Sequence, residues 1–344
     1  MITSTEQSRP IRWADRTLTI LRTRRLEACE KEFAGLGGCA LFDAEVTDLD
    51  AERLFEESYD AQEEKEVRLH TIEELRTRVL SRFSAEIGLL GEEEFMLLLK
   101  LSLFGGDIPI LDWNDYPAAV SLIRRMWCRA RPENGNWLHM PRQICVSAVL
   151  MLANEEMKKV REVTHEILET VDNTLYLAGM MPAEIVIRDL GFQLQGSLAA
   201  DRPDLYARML RASFETMTNR QGKLVLVHPG LAEPRGLPQT EGGLHPGLNQ
   251  DGLEDLYGSL TYVEDPIYDR MLSLIQDLSR PEVSAEETVE DLILLAKQGA
   301  PVAEMREVLA SKIICLPTEE MIATLQEMRD RIPRWFTLNM EQVQ

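Results

Sequence analysis

At 344 residues the chain exceeds the roughly 100–200 residues of a usual domain, so two domains or one large helical bundle is expected. Apolar residues make up 44% of it, enough for a sizeable core and too many for a chain disordered throughout. Asp and Glu number 58 against 37 Lys and Arg, a net charge of −21, which sets the body of the protein against nucleic-acid backbones.

That charge is unevenly placed. Residues 1–25 hold six arginines (Arg9, Arg12, Arg16, Arg22, Arg24, Arg25) and two acids, a net of +4, which leaves −25 for the remainder. An arginine-rich start on an acidic body can fold back as a clamp, bind an external anion or stay disordered. The clamp suits the guanidinium fork, which pairs carboxylates at two points. The start has no apolar region of a secretory signal, and Glu6, Asp15 and Glu27 argue against a mitochondrial transit peptide, so a cytoplasmic location is expected. Around Arg16–Thr23, Leu18 and Ile20 alternate with threonines, as in a short strand. Residues 43–66 carry eleven acids, Glu56, Glu57, Glu63 and Glu64 among them, against Arg53 and Lys65. That density reads as a solvated face or loosely ordered segment.

From there the pattern is helical. Thr71 followed by Glu74 is a capping box, opening a helix through Val79 and Phe83. The next helix, Glu92 to Phe104, is apolar on nearly every side and is expected deep in the core, until Gly105 and Gly106 end it. The segment that follows sets Asp107, Asp112 and Asp115 beside Trp113. Three carboxylates suit a hard cation, but the spacing is not that of a calcium loop and Asp115 suits a helix start. An exposed Trp113 would serve as a contact hot spot. A helix with Pro117 in its first turn then runs through Ile123, Met126 and Trp127, and Arg131–Met140 reads as a loop. The tract Arg129, Arg131, Asn134, Asn136, Trp137, His139 and Arg142 can grip a phosphate or a base, or neutralise carboxylates of an acidic bundle; the second is the expectation.

Pro141 opens the apolar run Ile144–Ala153, expected as a buried helix. A polar helix follows, with Val160, Val163, Ile167, Leu168 and Val171 on one face. His165-Glu166 begins a zinc-protease motif, but Glu169 stands where its second histidine belongs. Asp201 and Pro203 start a helix expected to end near Asn219. Residues 219–258 then hold eight of the twenty glycines and four of the sixteen prolines, which no helix survives. Lys223–Val227 reads there as a strand, paired with Ser259–Val263 across a long excursion suited to a switch or to nicking. His-Pro-Gly-Leu occurs twice in the excursion, at His228–Leu231 and His245–Leu248. Two imidazoles can converge on a metal or act as acid and base, although Pro-Gly is also ordinary turn chemistry.

The final segment is the clearest. Asp265-Pro266 starts a helix bearing Ile267, Met271, Leu274, Ile275 and Leu278. Ser284 with Glu287 caps a second, which Gly299 ends; Val302, Met305, Val308 and Leu309 mark a third; Thr318 starts a fourth with Met321, Leu325, Met328 and Ile332. Short connections make these antiparallel neighbours, a small C-terminal bundle.

The fold expected is therefore mainly α: a basic arm (1–25), an acidic helical domain (26–218), the Gly/Pro-rich loop (219–258) and a C-terminal helical bundle (259–344). Five cysteines, an odd number without a C-x-x-C pair, fit reduced thiols, and no apolar stretch nears the roughly 20 residues of a membrane span. Phosphate-loop, dinucleotide, nucleophile-elbow and zinc-protease signatures are missing, so no cofactor or metal is expected. The reading that remains is a non-enzymatic adaptor, inhibitor or regulator whose acidic face binds a basic protein. Its alternatives are a hydrolase or metal-dependent enzyme using His228 and His245, or a polyanion mimic that occupies a nucleic-acid-binding protein.

Overall fold

A computed structural model describes residues 17–36, 41–43, 46–56, 58–59, 71–131, 135–219, 221–231, 266–332 and 334–337. The chain is mainly α. It divides into two compact units, a larger one of residues 24–175 and 181–226 and a smaller one of 1–23, 176–180 and 227–344.

The larger unit begins on α1 (Leu18–Gly35). Residues 18–23 are helical and not a strand: Leu26, Cys29 and Phe33 recur at i, i+3 and i+7, and that helical stripe overrides a two-residue alternation. In the acidic segment, α2 (Ala51–Glu56) turns Ala51 and Leu54 inward and leaves Glu52 and Glu56 exposed. Its upstream Asp48 reaches α3 (Ile72–Glu86), accepting from Ile72 N at 2.8 Å. The capping box of α3 forms as the sequence implies, Thr71 Oγ1 accepting from Glu74 N at 3.2 Å and Glu74 Oε2 from Thr71 N at 3.0 Å.

Next come α4 (Glu92–Leu103), β1 (Asp107–Pro109), α5 (Tyr116–Arg124), β2 (Arg129–Arg131), β3 (Trp137–His139), α6 (Arg142–Leu152) and α7 (Glu155–Ala178). The stretch expected as a loop at 131–140 is instead a β-hairpin arm, for a local reason. Gly135 (φ 84°) and Asn136 (φ 63°) adopt the left-handed conformation that reverses the chain between two strands. The strands lie in the order β1-β3-β2, antiparallel, with Asp107 opposite His139 opposite Arg129 and Ile108 opposite Leu138 opposite Ala130. Because strand side chains alternate, that register buries the Ile108–Leu138–Ala130 row and sends the Asp107–His139–Arg129 row to the other face.

The core joins Phe33, Leu75, Phe83, Leu97, Leu122, Trp127 and Ile144. Helices α3 and α7 approach closely where Gly88 follows α3: a Cβ there would lie 2.7 Å from Val160 Cγ1. Gly88→Ala is therefore expected to cost about 1–3 kcal/mol by overpacking, read as a lower urea midpoint at unchanged slope. Two expectations need correction. Helices α4 and α6 are not buried all round: Met96, Leu103, Phe104, Val146, Val149 and Leu150 are exposed. The helix from Pro203 (α9 below) ends at Ser213, because Glu215–Thr218, with two β-branched threonines, is a strand.

After β4 (Gly179–Pro182), the larger unit closes with α8 (Ala183–Gln193), α9 (Pro203–Ser213), β5 (Glu215–Thr218) and β6 (Leu224–Val227). The expected strand at 223–227 is thus present, beside β5; its expected partner at 259–263 lies outside the described residues.

In the smaller unit, α10 (Pro266–Ile275), α11 (Ala285–Lys297), α12 (Val302–Lys312) and α13 (Glu319–Arg331) pack each on the next, and α10 closes against α13. Ser284 accepts from Glu287 N at 3.3 Å and Thr318 from Met321 N at 3.3 Å, the caps read from sequence. Met271, Ile275, Leu292, Met305, Leu309, Leu325 and Met328 form the core. Gly179 and Met180 pair in parallel with Phe336 and Thr337 of β7 (Phe336–Thr337).

Candidate functional site

Among the described residues the buried carboxylates each meet a buried cation, while the other acids lie at or near the surface. The buried set of the larger unit centres on Arg125. Met126 takes the left-handed conformation (φ 63°) just past α5, and this turn directs Arg125 and Trp127 inward. Arg125 Nε donates to Glu94 Oε1 at 3.2 Å and its Nη1 to Glu86 Oε1 at 3.3 Å. Arg208 from α9 donates to the same Glu86 oxygen, and Ser121 from α5 donates to Glu94. The Tyr59 hydroxyl lies 2.9 Å from Ser121 Oγ, and its ring, like that of Trp127, sits under the guanidinium. Burial alone would lower the Arg125 pKa, but Glu94 and Glu86 more than offset it and hold the cation charged; burial raises that of Tyr59. Two carboxylates and two guanidiniums thus cancel inside the unit.

A further cluster lies on the outer row of the three-stranded sheet. His139 Nδ1 is 2.8 Å from Asp107 Oδ1, and Arg131 donates to that oxygen at 3.1 Å. Asp43 receives Arg129 at 2.6 Å and lies 4.0 Å from His139 Nε2. These arginines therefore neutralise carboxylates, as the sequence implies. Asp107, Asp112 and Asp115 do not converge: Asp112 accepts from Asn114 N at 2.9 Å, and Asp115 lies 3.6 Å from Lys100. Among the described residues no His, Cys, Asp or Glu group is arranged to hold a metal ion.

In the smaller unit His228 is buried. Its backbone N–H donates to Gly179 O at 2.9 Å, and its Nδ1 accepts from Gly230 N–H at 3.0 Å, which places the ring proton on Nε2. The Pro-Gly turn here accounts for the first copy of the motif as turn chemistry, and the second copy lies outside the described residues. Burial first, and Lys297 after it, lower the His228 pKa to about 4, so the ring is neutral at physiological pH. Lys297, at the end of α11, donates to Tyr176 O at 2.9 Å and sits 4.4 Å over the Tyr176 ring; burial lowers its pKa to about 7. Trp335 Nε1 donates to the same carbonyl at 2.9 Å, and its ring lies 4.9 Å from that of His228. Asp291 and Lys312 pair inside the bundle.

The remaining sequence-derived candidates are on the surface or outside the described residues. Trp113 is 39% exposed, beside Leu111 at 88%. Arg22, Arg24 and Glu56 are exposed, and Arg25 is half-buried on α1. Arg9, Arg12, Glu57, Glu63, Glu64 and His245 lie outside the described residues. Sequence reasoning misses Arg125 and Lys297. Arg125 does carry a signal, as one of two adjacent charges inside the apolar stretch from Ala118 to Trp127, whereas Lys297 resembles any basic residue in a last helical turn. Among the described residues no helix is long and apolar enough to cross a membrane. Comparison of the chain with protein-family models, curated proteins and solved structures returns no match.

Proposed function

We propose that the protein is a non-enzymatic interaction protein whose acidic surface engages a basic protein partner. One observation carries this reading. Among the described residues the buried carboxylates are Glu86, Glu94 and Asp291, and each pairs with a buried cation, Arg125, Arg208 or Lys312. Among the described residues the interior absorbs none of the acidic excess, so their unmatched acids face solvent, where they steer basic surfaces inward and repel polyanions. The hydrolase alternative draws no support from His228, which is buried, neutral and engaged by its own turn.

The test is a pull-down with the tagged chain at about 0.1 M and 0.5 M salt, across which the Debye length falls from about 10 Å to less than half that. A basic protein recovered at the lower salt is expected to be lost at the higher. It is also expected to be lost with Glu52, Glu56, Glu57, Glu63 and Glu64 replaced by Gln. A partner retained by that variant would overturn the electrostatic reading; competition by DNA for the captured protein would favour the polyanion-mimic version.

A further inference from the structure

The sequence of α4 and α6 asks for burial on all sides, and the described residues cover only part of it. The two helices pack together, Cys145 Sγ lying 3.8 Å from Ser102 O. Beside that seam Met96 (43% exposed), Leu103 (73%) and Phe104 (73%), at i, i+7 and i+8, stand out from one face of α4 and its C-cap, and Val146 (52%), Val149 (51%) and Leu150 (68%) from α6. Six side chains at these exposures offer on the order of 700 Å² of apolar surface, above the roughly 300–600 Å² of the largest patch on a typical monomer. It is close to the about 800 Å² that each partner contributes to a standard interface. On the same helix faces Lys100 pairs with Asp115 at 3.6 Å, and Glu93 and Arg142, opposite in sign, are exposed at the α4 and α6 starts.

We propose that this face binds the same face of another copy of the chain, forming a two-fold symmetric dimer. A copy of the chain finds an apolar surface of sufficient area, while the remaining acids of the two bodies are screened beyond about 8 Å. This inference is independent of the acidic-surface reading, because salt acts on the two in opposite directions.

Sedimentation velocity on the full chain, from about 1 to 100 µM and at about 0.15 and 0.5 M salt, decides it. The expected result is a concentration-dependent dimer that is equally strong or stronger at the higher salt. Val149→Glu and Leu150→Lys, opposite in charge and both at exposed positions, are each expected to weaken it by roughly tenfold or more by burying a charge. Far-ultraviolet dichroism and Tm equal to the parent's show that the variants fold. A monomer throughout that range, or a dimer that survives both substitutions, would overturn the proposal.

Discussion

Arg125→Met is expected to destabilise the larger unit by about 3–5 kcal/mol, the cost of leaving buried carboxylates without their shared cation. Met matches the length of the arginine stem, so the loss is electrostatic and not a cavity. Glu94 would lose its guanidinium partner and keep only the neutral donors Ser121 and Gly91 N–H, while Glu86 would retain Arg208. The asymmetry supplies the control. Adding Glu94→Gln to Arg125→Met removes the orphaned charge and is expected to restore more than half of the lost stability in guanidinium or urea unfolding. If Arg125→Met alone stays within about 1 kcal/mol of the parent, water reaches the network and Arg125 is not sealed from solvent.

Acid is expected to loosen the smaller unit through His228. Its folded pKa of about 4 lies below the ordinary 6.5, so between those values the unfolded chain binds more protons than the folded one. Stability is therefore fully present above pH 6.5 and falls as the pH drops toward 4, by about 3 kcal/mol over that window. Lys297 acts in the same direction at higher pH: with a folded pKa of about 7 against 10.5, it makes stability rise from pH 7 toward 10.5. Melts at pH 4.5, 6.5 and 9 read both slopes. His228→Asn keeps an acceptor for Gly230 N–H and carries no titrating ring, so it should flatten the lower slope and leave the upper one. A His228→Asn protein as acid-sensitive as the parent would assign the lower slope to other groups.

Much of the helical architecture is legible in sequence because its determinants are local. Ser284, Thr318 and Thr71 sit within one turn of the amides they cap, and apolar stripes such as Met321–Leu325–Met328 need no knowledge of their partners. The three-stranded sheet is not legible in this way. Its strands are three residues each, and β3 finds β1 about thirty residues upstream, a pairing that no local pattern encodes. The buried charges are hidden for a related reason. The network around Arg125 joins Glu86, Glu94 and Arg208, which come from three helices, and their meeting point is a property of packing. His228 is visible as a motif, but its environment is not: the ring is buried, neutral at physiological pH and engaged by Gly230 N–H.

The smaller unit is assembled from stretches far apart in the chain, which has a consequence for synthesis. The carbonyl of Tyr176 accepts from Lys297, 121 positions later, and from Trp335, 159 positions later. At about 5–20 residues per second the ribosome needs roughly 8–30 s to add the tryptophan after the tyrosine. During that interval the nascent smaller unit lacks its last strand and its closing indole, whereas every segment of the larger unit has been translated by residue 226. A ribosome that stalls beyond that point therefore carries a complete larger unit and an unfinished neighbour, and the exposed edge of β4 is what a chaperone would meet first.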